Sequence, residues 1–144
     1  MSKGWTIAVL GAGAWGTALG AAMLTAGHRA RLWARDAALA ETIVQTHRNE
    51  RYLPGIDLDP RLAATAAMGD ALRDADCVLA VTPAQTLRPV LAAARSHMRQ
   101  GAPVVLCAKG IERETGRLMS EIAAEALPDN PVAALSGPSF AADL

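Results

Sequence analysis

The stretch Thr6-Ile7-Ala8-Val9-Leu10-Gly11-Ala12-Gly13-Ala14-Trp15-Gly16-Thr17-Ala18-Leu19 decides the fold. Its first five residues form a short run without polar alternation, the pattern of a strand covered on both faces. Gly11, Gly13 and Gly16 then follow in G-x-G-x-x-G spacing, and an Ala/Leu-rich helical stretch begins at once. Each glycine has its own physical reason. The first permits a tight turn off the strand, the second lets backbone approach a pyrophosphate with no Cβ in the way, and the third brings helix and sheet together. The helix behind the turn aims unpaired N–H groups and the positive end of its dipole at the same place. The motif alone is weak, but its position between a strand and a helix is the context it requires.

Outward from this turn, strands and helices alternate. The helix predicted over Trp15–Ala26 is closed by Gly27, and a second strand covers Arg29–Trp33. A helix is predicted over Ala37–Thr46, a loop over Leu53–Arg61 and a helical turn over Met68–Arg73. A strand at Asp76–Val81 leads to a helix at Ala84–Met98, with Pro89 near its first turns. A strand at Pro103–Cys107, a helix at Gly116–Ala126 and a strand at Val132–Leu135 complete the pattern. Such alternation implies right-handed crossovers and an α/β fold, a Rossmann-type doubly wound parallel sheet that binds a dinucleotide. The 144 residues form one domain by size. A new helix start just before Leu144 gives the expectation that domain 1–144 is cut from a longer protein.

The dinucleotide's identity turns on the end of the second strand. NAD sites usually place an acid there for the ribose 2′-hydroxyl. This chain has Ala34 and Arg35, and an Arg can pair with a 2′-phosphate and stack on adenine. Asp36 can take the ribose or cap the next helix; the cap is preferred, and with it NADP over NAD. Three further sites lie after strands, on the edge where open α/β sheets take ligands. Thr82 can touch the cofactor or cap a helix beginning at Pro83. Lys109, one of two lysines against twelve arginines, can pair with phosphate or carboxylate, or be a solvated surface charge. In Ser136-Gly137-Pro138-Ser139-Phe140-Ala141, Gly137 permits close approach and Ser139 offers a hydroxyl, though a simple helix cap accounts for both.

Bulk properties exclude other classes. With 51% apolar and 19% charged residues the chain is globular. Fourteen basic residues balance fourteen acidic ones, leaving no footprint for nucleic acid. No apolar run reaches the length of a membrane span, and no signal-peptide pattern opens the chain, so a cytoplasmic protein is expected. Cys77 and Cys107 read as reduced core thiols. The three histidines have no metal-ligand spacing, and no metal is expected.

The segments GAGAWGTAL (11–19), LWARD (32–36), NERYLPGI (49–56), CAKGIERETGRLMSE (107–121) and SGPSFAADL (136–144) together resemble the bacterial-type NAD(P)-dependent glycerol-3-phosphate dehydrogenases. The K-G-[ILF]-E…T-G stretch followed by S-G-P-[ST]-F-A carries most of the specificity. The resemblance implies interconversion of sn-glycerol 3-phosphate and dihydroxyacetone phosphate, supplying phospholipid synthesis. It implies cofactor contacts at Ala14, Trp15, Arg35, Tyr52, Lys109 and Ala141, and contacts to the phosphate-bearing substrate at Lys109, Gly137 and Ser139. Ala14 stands where Ser is frequent in the family, and Ser139 where Thr is. The family's C-terminal helical domain supplies the general-base lysine and the homodimer interface, so the chain alone is expected to be inactive. A ketopantoate-type or hydroxyacid reductase domain, and a non-catalytic dinucleotide-binding module, are the alternatives.

Overall fold

A computed structural model describes residues 3–137 and 140–144. The first element is β1 (Thr6–Leu10), followed by α1 (Ala14–Thr25), β2 (Arg29–Trp33) and α2 (Ala37–Thr46). Then come β3 (Ala63–Thr65), α3 (Met68–Leu72), β4 (Cys77–Ala80) and α4 (Leu87–Ala94). The series closes with β5 (Val104–Leu106), α5 (Met119–Ala126) and β6 (Val132–Ala134). The six strands form one sheet in the order β3-β2-β1-β4-β5-β6, and every pairing is parallel. The chain starts at the centre, winds out one way through β2 and β3, then returns to β4 and winds out the other way. This is the doubly wound Rossmann arrangement, with its reversal between β1 and β4.

Strand alternation separates two cores. Ile7 and Val9 face a layer with Leu19 and Leu24 of α1 and Ala40 and Ile43 of α2. Ala8 and Leu10 face the opposite layer, with Leu72 of α3, Leu87 and Leu91 of α4, and Ile122 of α5. Both faces of the sheet are therefore covered, which is why β1 and β4 are buried along their whole length. The helix α1 lies close on β2 because Gly20 has no side chain: a Cβ there would sit 2.9 Å from Leu32 Cδ2.

Four expectations change. The strand β3 was not anticipated; its three small residues carry no β-type run, and its pairing with β2 makes it a strand. The segment Ala84–Met98 is not one helix: 3₁₀ turns at Ala84–Thr86 and Arg95–His97 flank α4. Pro89 is the third residue of α4, where no helical N–H bond is lost. The helix α5 starts at Met119 rather than Gly116, because Gly116 has φ +72° and belongs to a turn. The Glu121 carboxylate instead reaches back to accept from Leu118 N–H at 2.7 Å. Finally, the helix start expected just before Leu144 is a 3₁₀ turn, Ala141–Asp143, among the described residues.

Candidate cofactor cleft

The glycine turn opens on a cleft of about 1080 Å³ at the carboxyl ends of β1, β2, β4 and β5. Gly11 has φ +124°, and a Cβ there would lie 2.6 Å from the Val81 carbonyl oxygen. At Gly16 a Cβ would lie 1.9 Å from the Gly11 oxygen, so the turn and the first turn of α1 are in contact. Gly13 differs from both: a Cβ there would meet nothing within 4 Å. Gly13 itself lines the cleft. The first helical bond of α1 runs from Thr17 N–H to Gly13 C=O at 3.0 Å. The amides of Ala14, Trp15 and Gly16 precede that bond, and no side chain caps the helix. The arrangement fits a phosphate group: space, unpaired donors and the positive end of a helix dipole coincide.

One wall is built by α2 and the loop that follows it. Asp36 caps α2, its Oδ1 accepting from Ala38 N–H at 2.9 Å and from Leu39 N–H at 3.4 Å. Its Oδ2 pairs with the Arg51 guanidinium at 3.1 Å. The loop reaches the cleft because Asn49, fully buried, ties it to the glycine turn. Asn49 Nδ2 donates to Ala12 C=O at 2.9 Å and to Thr17 Oγ1 at 2.8 Å. Arg51 and Tyr52 follow after Glu50, and the guanidinium of Arg51 lies 5.0 Å from the centre of the Tyr52 ring. Arg35, Asp36, Arg51 and Tyr52 all line the cleft. The sequence expectations placed Arg35 and Tyr52 here, and the preferred capping role of Asp36 is observed. Arg51 and Asn49 were missed; Tyr52 beside them in NERYLPGI was the one available signal.

The opposite wall holds Thr82, 7% exposed and lining the cleft. Among the described residues Thr82 Oγ1 is the buried side-chain polar atom with no hydrogen-bond partner. The alternative reading of Thr82 as a helix cap does not hold. Pro83 occupies the flanking position, no side chain caps the turn, and Thr86 Oγ1 donates to Pro83 C=O at 3.0 Å instead. A buried hydroxyl without a partner is costly, and a ligand atom in the cleft would relieve it. Cys107 also lines the cleft, half-buried, with its thiol pushed up to about 11, by burial first and then by Cys77. Both cysteines are free thiols.

Lys109 lies beside the cleft rather than in its lining. It is exposed, and its ammonium reaches toward the Gly137 carbonyl at 3.5 Å. The loop behind it is clamped. Gln85 donates to Ile111 C=O at 2.9 Å and accepts from Arg113 N–H at 3.0 Å. Arg88 grips the buried Glu112 through Nε and Nη2, at 2.9 and 3.0 Å, and Thr115 donates to the same carboxylate at 2.6 Å. These bonds hold the Glu112 carboxyl below the usual range, Arg88 contributing most. Lys109 and Gly137 are thus brought together. Ala141 lies in the terminal 3₁₀ turn, which packs against α1 but does not line the cleft. Ser139 falls outside the described residues. No group of three metal-ligating side chains occurs among the described residues, and no described helix is long and apolar enough to cross a membrane.

Over residues 6–144 the sequence matches the protein family described as NAD-dependent glycerol-3-phosphate dehydrogenase N-terminus. It is 65% identical over 144 residues to glycerol-3-phosphate dehydrogenase [NAD(P)+] of Chelativorans sp. (strain BNC1), covering all of this chain and 44% of that relative. It is 53% identical over 138 residues to the enzyme of the same name from Rhodospirillum rubrum, covering 96% of this chain and 40% of that relative. The chain therefore spans less than half the length of these curated relatives. Among solved structures it is similar to glycerol-3-phosphate dehydrogenase from Coxiella burnetii, with a TM-score of 0.91 and 29% identity over 99% of this chain and 43% of that one. A ketopantoate reductase from Ralstonia eutropha, at 23% identity and a TM-score of 0.72 over 90% of this chain and 40% of that one, shares the fold alone.

Proposed function

The chain belongs to the N-terminal family of the NAD-dependent glycerol-3-phosphate dehydrogenases, and from that premise we propose that it is the cofactor-binding part of an enzyme interconverting sn-glycerol 3-phosphate and dihydroxyacetone phosphate. One observation carries the reading: a glycine turn whose middle member has open space in place of a side chain, set at the reversal point of the sheet. The amides of Ala14, Trp15 and Gly16 would hold the pyrophosphate. Arg35 would face the adenosine 2′-phosphate, so NADP is preferred to NAD. Tyr52 would pack near the adenine, and Thr82 would give its hydroxyl to the nicotinamide-side half.

When bound, the nicotinamide supplies or accepts the hydride. The chain's own contribution would be a positive charge beside the cleft. Lys109, held by the clamped loop beside Gly137, would stabilise the oxygen that gains charge as the substrate carbonyl is reduced. Gly137 and Ser139 would border the substrate phosphate, and Ala141 the cofactor. The general base would come from the remainder of the full-length enzyme. The whole enzyme would be a cytoplasmic homodimer assembled through that remainder, producing the glycerol phosphate backbone of phospholipids.

The test is a fluorescence titration of the 144-residue chain with NADPH, paired with an assay of NADPH oxidation in the presence of dihydroxyacetone phosphate. Saturable binding with negligible turnover is expected. No binding would overturn the cofactor site. Turnover at a rate normal for an enzyme, on the order of 10 per second, would place the general base within residues 1–144.

A further inference from the structure

We propose that Arg51 is a specificity-determining residue, selecting NADP over NAD by occupying the one carboxylate that an NAD site would use. The proposal rests on the cofactor reading above and adds a residue and a device to it.

An acid near the end of the second strand favours NAD because its carboxylate accepts from the ribose 2′-hydroxyl and repels a 2′-phosphate. In this chain Asp36 stands next to that position and lines the cleft. Both of its oxygens are engaged. Oδ1 accepts from the Ala38 and Leu39 amides, and Oδ2 faces the Arg51 guanidinium at 3.1 Å. A ribose hydroxyl would have to share Oδ2 with the Arg51 guanidinium, whose charge already offsets that of the carboxylate. The same pairing changes the charge of the wall: Arg35 and Arg51 against Asp36 leave a surplus positive charge where a phosphate would sit.

The Arg51 side chain is 59% exposed, but the loop that carries it is anchored. Asn49, two residues earlier, is buried and bonded to both Ala12 C=O and Thr17 Oγ1, so the loop is fixed to the glycine turn. Tyr52 flanks the guanidinium at 5.0 Å, a cation–π distance that leaves N–H groups free to donate. A planar guanidinium so held can keep one edge on Asp36 and turn another toward a phosphate oxygen.

The experiment measures the dissociation constants of NADPH and NADH for the 144-residue chain by calorimetry, and reads their ratio. Removal of Arg51 takes away a charge from the 2′-phosphate and frees Asp36 for the 2′-hydroxyl. For Arg51→Ala the preference for NADPH should therefore fall by at least about tenfold, with NADH binding unchanged or tighter. Arg51→Gln, which keeps much of the stem, should do the same. Adding Asp36→Asn to Arg51→Ala should abolish any gain in NADH affinity. If both cofactors weaken equally in the Arg51 variants, the residue only braces the loop and the proposal is overturned. Arg35→Ala is the separate arm. An unchanged ratio there would remove Arg35 from the 2′-phosphate while leaving the Arg51 result to stand or fall alone. Failure of the unaltered chain to bind either cofactor would overturn both.

Discussion

The three glycines of the turn look alike in sequence and face different surroundings. Gly16 abuts the Gly11 carbonyl, where a Cβ would come within 1.9 Å of oxygen; Gly13 faces open space. Gly16→Ala should therefore destabilise the fold by more than about 3 kcal/mol, beyond ordinary overpacking because backbone itself must move. Gly13→Ala should melt near the unaltered chain, since its φ of −74° suits any residue. It should nonetheless weaken NADPH binding tenfold or more, because the methyl would occupy the phosphate's space. Thermal melts and titrations of the two variants check this; equal behaviour would mean that the turn is a structural joint only. The glycine turn and the Asp36 cap were legible in sequence because each depends on neighbours within a few positions. Arg51 was not, since its place depends on Asn49 reaching Ala12 across 37 residues. Lys109 was legible as a residue at the right edge, but its distance from the cleft lining depends on how its loop is clamped.

The elements that departed from expectation are those whose limits are set by partners rather than by their own pattern. The strand β3 exists through β2, and the start of α5 is set by a positive-φ glycine and a returning glutamate. The loop between β5 and α5 owes its shape to Glu112, gripped by Arg88 of α4. Glu112 is buried, and its carboxyl titrates below its ordinary range when folded. A depressed folded value means that the ion pair contributes stability at neutral pH and loses it as the pH falls through that value. Glu112→Gln should lower the melting midpoint at pH 7, and the gap to the unaltered chain should close in acid, below the ordinary glutamate range. Melts over a pH series check the sign. A gap that persists undiminished in acid would assign the effect to packing of the side chain and not to its charge.

On the scale of the molecule, the cleft lies where the two wings of the sheet part. Most of one wall comes from β1, β2, α2 and the Asn49 loop, and the other wall from β4, β5 and the turn at Thr82. A ligand lying across the parting binds both wings, so it should stabilise the whole chain and not one half. At a hundredfold excess over its dissociation constant NADPH should add about 2.7 kcal/mol. For a chain of this size that raises the melting midpoint by roughly 5–12 °C in a single transition. Two transitions, only one of them moved by NADPH, would show that the wings unfold separately. The double winding itself was readable from the alternation of runs, because both faces of a parallel sheet must be covered and the crossovers have one hand.

The division of the sheet has a bearing on how such an enzyme can change over time. The residues that would distinguish one dinucleotide from another occur before residue 53, and those that would meet the reacting carbonyl occur after residue 81. Substitutions that share no side-chain partner within the chain tend to add rather than interfere. A lineage could then exchange one electron-carrier pool for another by altering Arg35, Asp36 and Arg51, and leave its chemistry on the other wing untouched.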